Sequence, residues 1–191
     1  AVPEGLPAVS TIALAVGVAR MARRNALVRR LPAVEALGSA TIVCTDKTGT
    51  LTAGEMTVTV VWTAGTEFRF SGAGYDPEGD VTAGGDAVTV AADSPIHLAL
   101  RIGALTNRAS LVHDVEGWHI RGDPTEAALL VAAHKAGLDP GQLRERWPET
   151  GVVPFSSERM MMATLHGDVG YVKGAPARVV RQSARMLTVD G

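Results

Sequence analysis

Cysteine, aromatic side chains and net charge are all scarce in this 191-residue chain. Its single cysteine, Cys44, rules out an intramolecular disulfide framework and points to a reducing compartment. Cys44 falls within the apolar run 40–45, where it reads as a small core side chain. Lys plus Arg number 18 against 20 Asp plus Glu, a net charge of −2, so nothing favours a nucleic-acid surface. Aromatics make up only 4% while Ala, Val, Gly and Arg dominate, a compositional habit without functional content. The charge-free stretch at residues 8–19 falls short of the roughly 20 residues a bilayer-spanning helix needs. A signal peptide would need basic residues before that stretch and a cleavage site after it, and neither is there. No internal repeat is visible. The length suits one domain, or one small domain with pieces of others, and a first residue of Ala1 reads as a fragment of something longer.

The most informative residues are Asp46-Lys47-Thr48-Gly49-Thr50-Leu51-Thr52, directly after the run Ala40–Thr45. A short β-branched run bounded by a Gly-containing turn predicts a buried strand, with Asp46 at its carboxyl end. Open α/β sheets bind ligands there. A carboxylate so placed can attack a phosphoryl group and carry it as an aspartyl-phosphate. Lys47 adds positive charge, Thr48 a hydroxyl and a carbonyl, and Gly49 a tight turn. Thr50 and Thr52 can donate to phosphate oxygens. Each residue alone is ordinary in a turn; the whole string is specific.

That string resembles the phosphorylation motif of the P-type cation-transporting ATPases, whose phosphorylated aspartate opens it. The resemblance implies Asp46 as nucleophile, with Lys47 and Thr48 beside it, and Mg²⁺ held by Asp46 and the Thr48 carbonyl. Related haloacid-dehalogenase-like phosphatases carry a second Asp two places on, for hydrolysis; this chain has Thr48.

At the front, Val2-Pro3-Glu4-Gly5-Leu6-Pro7 would break a helix and free backbone carbonyls. The apolar run follows, and then Arg20, Arg23, Arg24, Arg29 and Arg30, a cluster that reads as a cytoplasmic helix end. Broken helices beside a carboxylate are a recurring way to bind cations in membranes. An exposed turn before an ordinary helix fits residues 1–7 equally well. The resemblance implies the ion-binding helix of calcium-pump-like members, with Glu4 and the Val2 carbonyl as ligands of the transported cation. Residues 1–25 would then be part of a transmembrane helix and its stalk. Residues 26–56 would be a connector and the start of the phosphorylation domain, with Pro32 opening a helix that ends near Gly38.

From about Thr57 the pattern changes. Residues 57–62 and 67–70 alternate as strands about a Gly-containing turn. Residues 71–87 read as an exposed loop rich in Gly, Asp and Pro. Ser94-Pro95 and Asp123-Pro124 each open a helix. Residues 152–155, 161–165 and 170–172 read as strands, and Pro176 opens a last helix. This order predicts an α+β fold, an antiparallel sheet with packed helices. Residues 57–191 would form a nucleotide-binding domain, with the first strand of a haloacid-dehalogenase-like α/β phosphorylation domain and a partial transmembrane helix before it.

Three places in this body carry candidate chemistry. Phe155, in Pro154-Phe155-Ser156-Ser157-Glu158-Arg159, offers a face on which a purine can stack, or is a core aromatic. Lys173-Gly174, ahead of a Pro-initiated helix, suits an anion, or is a solvated lysine. Glu126 sits in a helix's first turn, where the dipole favours it without any ligand. In this order they resemble the nucleotide-binding domain of the same family. That implies ATP held by Thr48, Glu126, Phe155, Ser157, Arg159, Lys173 and Gly174, with Phe155 on the adenine. Ser157 stands where reticulum calcium pumps have arginine, and Met160 where many members have lysine. Neither offers the charge the family uses near the phosphates.

The implied whole is an integral protein of a bacterial cell membrane, cytoplasmic from about residue 20, moving Ca²⁺ or another cation at the expense of ATP. Its remaining catalytic segments would follow Gly191, and the fragment alone would be inactive. Two other readings stay open: a nucleotide-binding module without turnover, and a soluble aspartyl-phosphate phosphatase.

Overall fold

The computed structural model describes residues 5–47, 49–52, 54–92, 94–115 and 117–188. Contacts divide the chain into two units, Ala1–Leu51 and Thr52–Gly191.

The first unit holds two helices, α1 (Leu6–Ala22) and α2 (Pro32–Gly38). Pro7 lies in the first turn of α1, where its missing N–H costs no bond, and Arg20 complements the dipole at the other end. Ser10 and Thr11 turn their hydroxyls back onto the carbonyls of Leu6 (2.9 Å) and Pro7 (2.8 Å), so this apolar helix leaves those polar groups satisfied. Among the described residues no helix is long and apolar enough to cross a membrane. Pro32 opens α2 as its proline signal predicts.

The run at 40–45 differs from its prediction. It forms no strand, Ile42 and Val43 are 79% and 80% exposed, and Cys44 is exposed and not a core residue. β-branched residues favour a pleated, half-buried surface but do not create one. No described strand pairs with this segment, and without a ladder partner an extended run is not a strand. Past Asp46 the chain does turn tightly: the Leu51 amide donates to the Lys47 carbonyl at 3.0 Å, and Gly49 has φ +72°.

The second unit is α+β with antiparallel sheets. β1 (Val60–Thr63), β2 (Thr66–Phe70), β3 (Val81–Ala83) and β4 (Asp86–Ala87) form a meander in sequence order. Its first hairpin turns at Ala64-Gly65, both at positive φ, as a two-residue turn matched to strand twist requires. The loop expected over 71–87 is thus partly sheet. Val81 is buried at 5% exposure, and Gly84-Gly85 make the turn between β3 and β4. Glycine there signals a hairpin and not an open loop.

Two elements have no counterpart among the sequence expectations. The hairpin of β5 (Ser110–Asp114) and β6 (Gly117–Arg121) follows α3 (Pro95–Leu105), and α5 (Pro140–Arg146) follows α4 (Pro124–Lys135). The third sheet, β7 (Gly151–Ser156), β8 (Met161–His166) and β9 (Val169–Gly174), leads into α6 (Pro176–Gln182).

The core lies between α3, α4 and the sheets. Ile96, Leu100 and Ala104 recur every fourth residue along α3 and meet Ala127, Leu130 and Ala133 of α4. Small residues allow this close approach: a Cβ added at Gly103 would already touch Leu129 at 3.5 Å. Phe70, Val81, Leu143 and Tyr171 seal the edges. Leu130→Ala should therefore lower unfolding free energy by about 2–5 kcal/mol in urea titration, whereas truncating the exposed Val180 should change it by less than about 0.5 kcal/mol.

Candidate functional site

One end of the third sheet faces the N-terminus of α4 across a cleft of about 720 Å³. Asp123, Thr125, Glu126 and Leu129 form its helical wall. Phe155, Met160 and Met162 come from β7, β8 and the turn between them, and Lys173, Gly174 and Ala175 from the end of β9.

The helical wall is fixed by hydrogen bonds. Lys173 Nζ donates to Glu126 Oε1 at 2.8 Å, with the two side chains only 23% and 16% exposed. The other oxygen, Oε2, accepts the Arg108 amide at 2.8 Å. Asn107 is buried beneath. Its Nδ2 donates to the carbonyls of Gly103 (3.1 Å) and Glu126 (2.8 Å), while its Oδ1 accepts the Ala109 amide (2.9 Å). The end of α3 is thereby tied to the start of α4. The sequence pattern does not point to Asn107, because an Asn past a helix end is ordinarily a cap. Gly122, at φ +113°, completes the approach: a Cβ there would lie 2.9 Å from Ala109 Cα.

Asp123 caps α4 as its sequence predicts, its Oδ1 accepting the amides of Thr125 (2.8 Å) and Glu126 (3.2 Å). Burial pushes this carboxyl upward. The hydrogen bonds from Glu126 and Thr125 and the nearby Lys173 charge outweigh it, leaving the pKa below its ordinary 3.8.

The sheet wall owes its shape to an irregularity. Val153 pairs with Ala163 but Ser156 pairs with Met161, so β7 carries one extra residue between them. Phe155 lies in that bulge and is 59% exposed on the cleft, which removes its reading as a core aromatic. Met160 takes φ +53°, rare for a side chain of its size, to close the β7–β8 turn; its amide donates to the Ser156 carbonyl and its carbonyl accepts the Ala175 amide. Gly174 packs against that turn, where a Cβ would fall 2.7 Å from Met161 Cα and closer still to the Met160 carbonyl. Its smallness serves the chain's own backbone.

Of the expected nucleotide residues, the cleft gathers Glu126, Phe155, Lys173 and Gly174. Ser157 and Arg159 do not line it; Arg159 Nη2 donates to the Pro154 carbonyl at 2.6 Å. Asp46 and Lys47 are exposed residues of the other unit. Val2, Glu4 and Thr48 lie outside the described residues. Among the described residues no cluster of three or more His, Cys, Asp or Glu side chains forms a metal centre.

The profile of the P-type ATPase cytoplasmic domain N matches residues 96–191, and the chain belongs to the P-type cation-transporting ATPases. It is 49% identical over its whole length to the probable cation-transporting ATPase F of Mycobacterium tuberculosis, covering 22% of that protein. It is 41% identical over 97% of its length to a calcium-transporting ATPase of Bacillus subtilis, covering 22% of it. Over 95% of the chain it is 38% identical to the human calcium-transporting ATPase type 2C member 1, covering 20% of it. The chain therefore spans about a fifth of the length of these relatives.

The lowered pKa of Asp123 links the cap to pH. An Asp with a lowered folded pKa contributes its full stability above its ordinary value near 3.8 and loses that contribution as pH falls through the folded pKa. Asp123→Asn should keep the cap near neutral pH but flatten the fall in stability below about pH 4, read by urea unfolding across pH. Asp123→Ala should cost about 1 kcal/mol at pH 7.

Proposed function

We propose that the chain is the nucleotide-binding part and phosphorylation site of an ATP-driven cation pump. The observation that carries this reading is the cleft, in which Glu126, Phe155, Lys173 and Gly174 converge from three separate segments. An exposed aromatic face beside an apolar wall is a stacking platform for adenine. Residues 57–191 would hold ATP, and Asp46 would receive its γ-phosphoryl group. A carboxylate oxygen of Asp46 forms a bond to the γ-phosphorus, the bond from that phosphorus to the β,γ-bridging oxygen breaks, and ADP departs with the electron pair. Lys47 would offset charge on the transferred group. Asp46 is exposed, and its oxygens are of the hard kind that Mg²⁺ takes; with the Thr48 carbonyl it would hold the ion, which supplies charge neutralisation to the phosphate oxygens.

In the whole protein, phosphorylation would drive the helix bearing Glu4 and Val2 between inward- and outward-open states of a bacterial cell-membrane pump. Relatives named as calcium-transporting support Ca²⁺ as cargo, and relatives named only as cation-transporting leave room for another cation. Thr48, in place of a second aspartate, supports a lasting phosphoenzyme over a phosphatase. Because the cleft belongs to one unit, ATP binding without turnover is the behaviour expected of the chain by itself.

In the full-length protein, Asp46→Asn should abolish acid-stable ³²P labelling from [γ-³²P]ATP; persistent label removes Asp46 from its role. Phe155→Ala should weaken ATP binding to this chain by about 1–3 kcal/mol in calorimetric titration without lowering the unfolding midpoint.

A further inference from the structure

We propose that a second cavity, between α3 and α5, binds a small oxyanion, a carboxylate or a phosphate. It shares no lining residue with the nucleotide cleft and does not depend on the nucleotide reading. Arg101 of α3, Leu143 and Arg146 of α5, and Trp147 just past α5 line a space of about 240 Å³. That volume falls below the roughly 300 Å³ at which sites for drug-sized ligands begin, so it suits a small ion and not a nucleotide.

Two guanidinium groups meet on one indole. The Cζ atoms of Arg101 and Arg146 each lie 4.7 Å from the centroid of the Trp147 ring, and that of Arg101 is also 5.7 Å from the Tyr171 ring. Ring contact suits a guanidinium, and the last turn of α5 favours Arg146 without any ligand. A ring face meets the charge, however, and offers no lone pair to the five N–H donors of each group. Among the described residues neither arginine has an ion-pair partner, and Arg101 Nε is a buried donor without a hydrogen-bond acceptor. A buried charged donor left without an acceptor is costly, and two like charges over one ring repel. The carboxylate at hand relieves neither. Asp139 lines the cavity, but its Oδ1 accepts the Gly141 amide at 2.7 Å and its Oδ2 the Gln142 side-chain amide at 3.2 Å, both at the start of α5. An oxyanion that accepts from both arginines relieves the two costs together. The planar fork of arginine matches the paired oxygens of a carboxylate or phosphate, which sets the ligand class.

The test is calorimetric titration of the 191-residue chain with sodium phosphate and, separately, sodium succinate, the ionic strength held constant with NaCl. At least one of the two should bind as a single equivalent with a dissociation constant of about 1 mM or below. It should also raise the urea unfolding midpoint above that in NaCl alone, because it binds only the folded chain. Binding of phosphate alone assigns the site to a phosphate, and binding of succinate alone to a carboxylate. Arg101→Lys keeps the charge and loses the fork, and should weaken binding by about tenfold. Arg146 is exposed, so Arg146→Gln should keep the parent's unfolding midpoint in NaCl and weaken binding by at least about tenfold. If neither anion binds more tightly than about 10 mM, the inference falls. It also falls if a folded Arg146→Gln chain binds as tightly as the parent, because the ion then sits elsewhere. Should Arg101→Lys fail to fold, Arg146→Gln alone decides.

Discussion

The site depends on the way Glu126 is held. One carboxylate oxygen takes the Lys173 ammonium from the third sheet, and the other takes the Arg108 amide from the loop after α3. The backbone carbonyl of the same residue accepts from the buried Asn107. A single side chain thus ties a helix start, a sheet end and an interhelical loop together. A mostly buried carboxylate left without these donors would face a desolvation penalty. That connection holds α4, the helical wall of the cleft, against β9, one strand of its sheet wall.

Much of the second unit is legible in its sequence. Ser94-Pro95 and Asp123-Pro124 announce α3 and α4 through a capping side chain followed by a residue that needs no amide bond. Asp139-Pro140 carries the same signature and starts α5, yet that helix is short and its apolar pattern is thin. The strands at 60–63, 66–70 and 151–174 follow from alternation and Gly-containing turns. β3 and β4 are masked by a glycine-rich neighbourhood, and only Val81 betrays the core contact. The hairpin β5–β6 mixes His, Asp and Trp with few aliphatic residues, so its alternation is weak.

The site was half legible for a different reason. Motif order places Phe155, Lys173, Gly174 and Glu126 on the cleft. It does not separate residues that line the cleft from neighbours such as Ser157 and Arg159, because a bulge and a left-handed turn intervene. Nor does it show Asn107, whose importance lies in contacts made across 19 residues of chain. At 40–45 the reverse holds. Composition announces a strand, but strand formation is a property of pairs, and the pairing partner is not among the described strands.

The extra residue in β7 has an evolutionary corollary. Side chains on a strand alternate faces, so losing one residue between Val153 and Ser156 would restore the regular ladder and rotate Phe155 to the far side of the sheet. That stretch is solvent-exposed and would pass for a permissive surface segment. A one-residue insertion or deletion there would therefore displace Phe155 from the cleft, where a substitution that keeps the chain length would not.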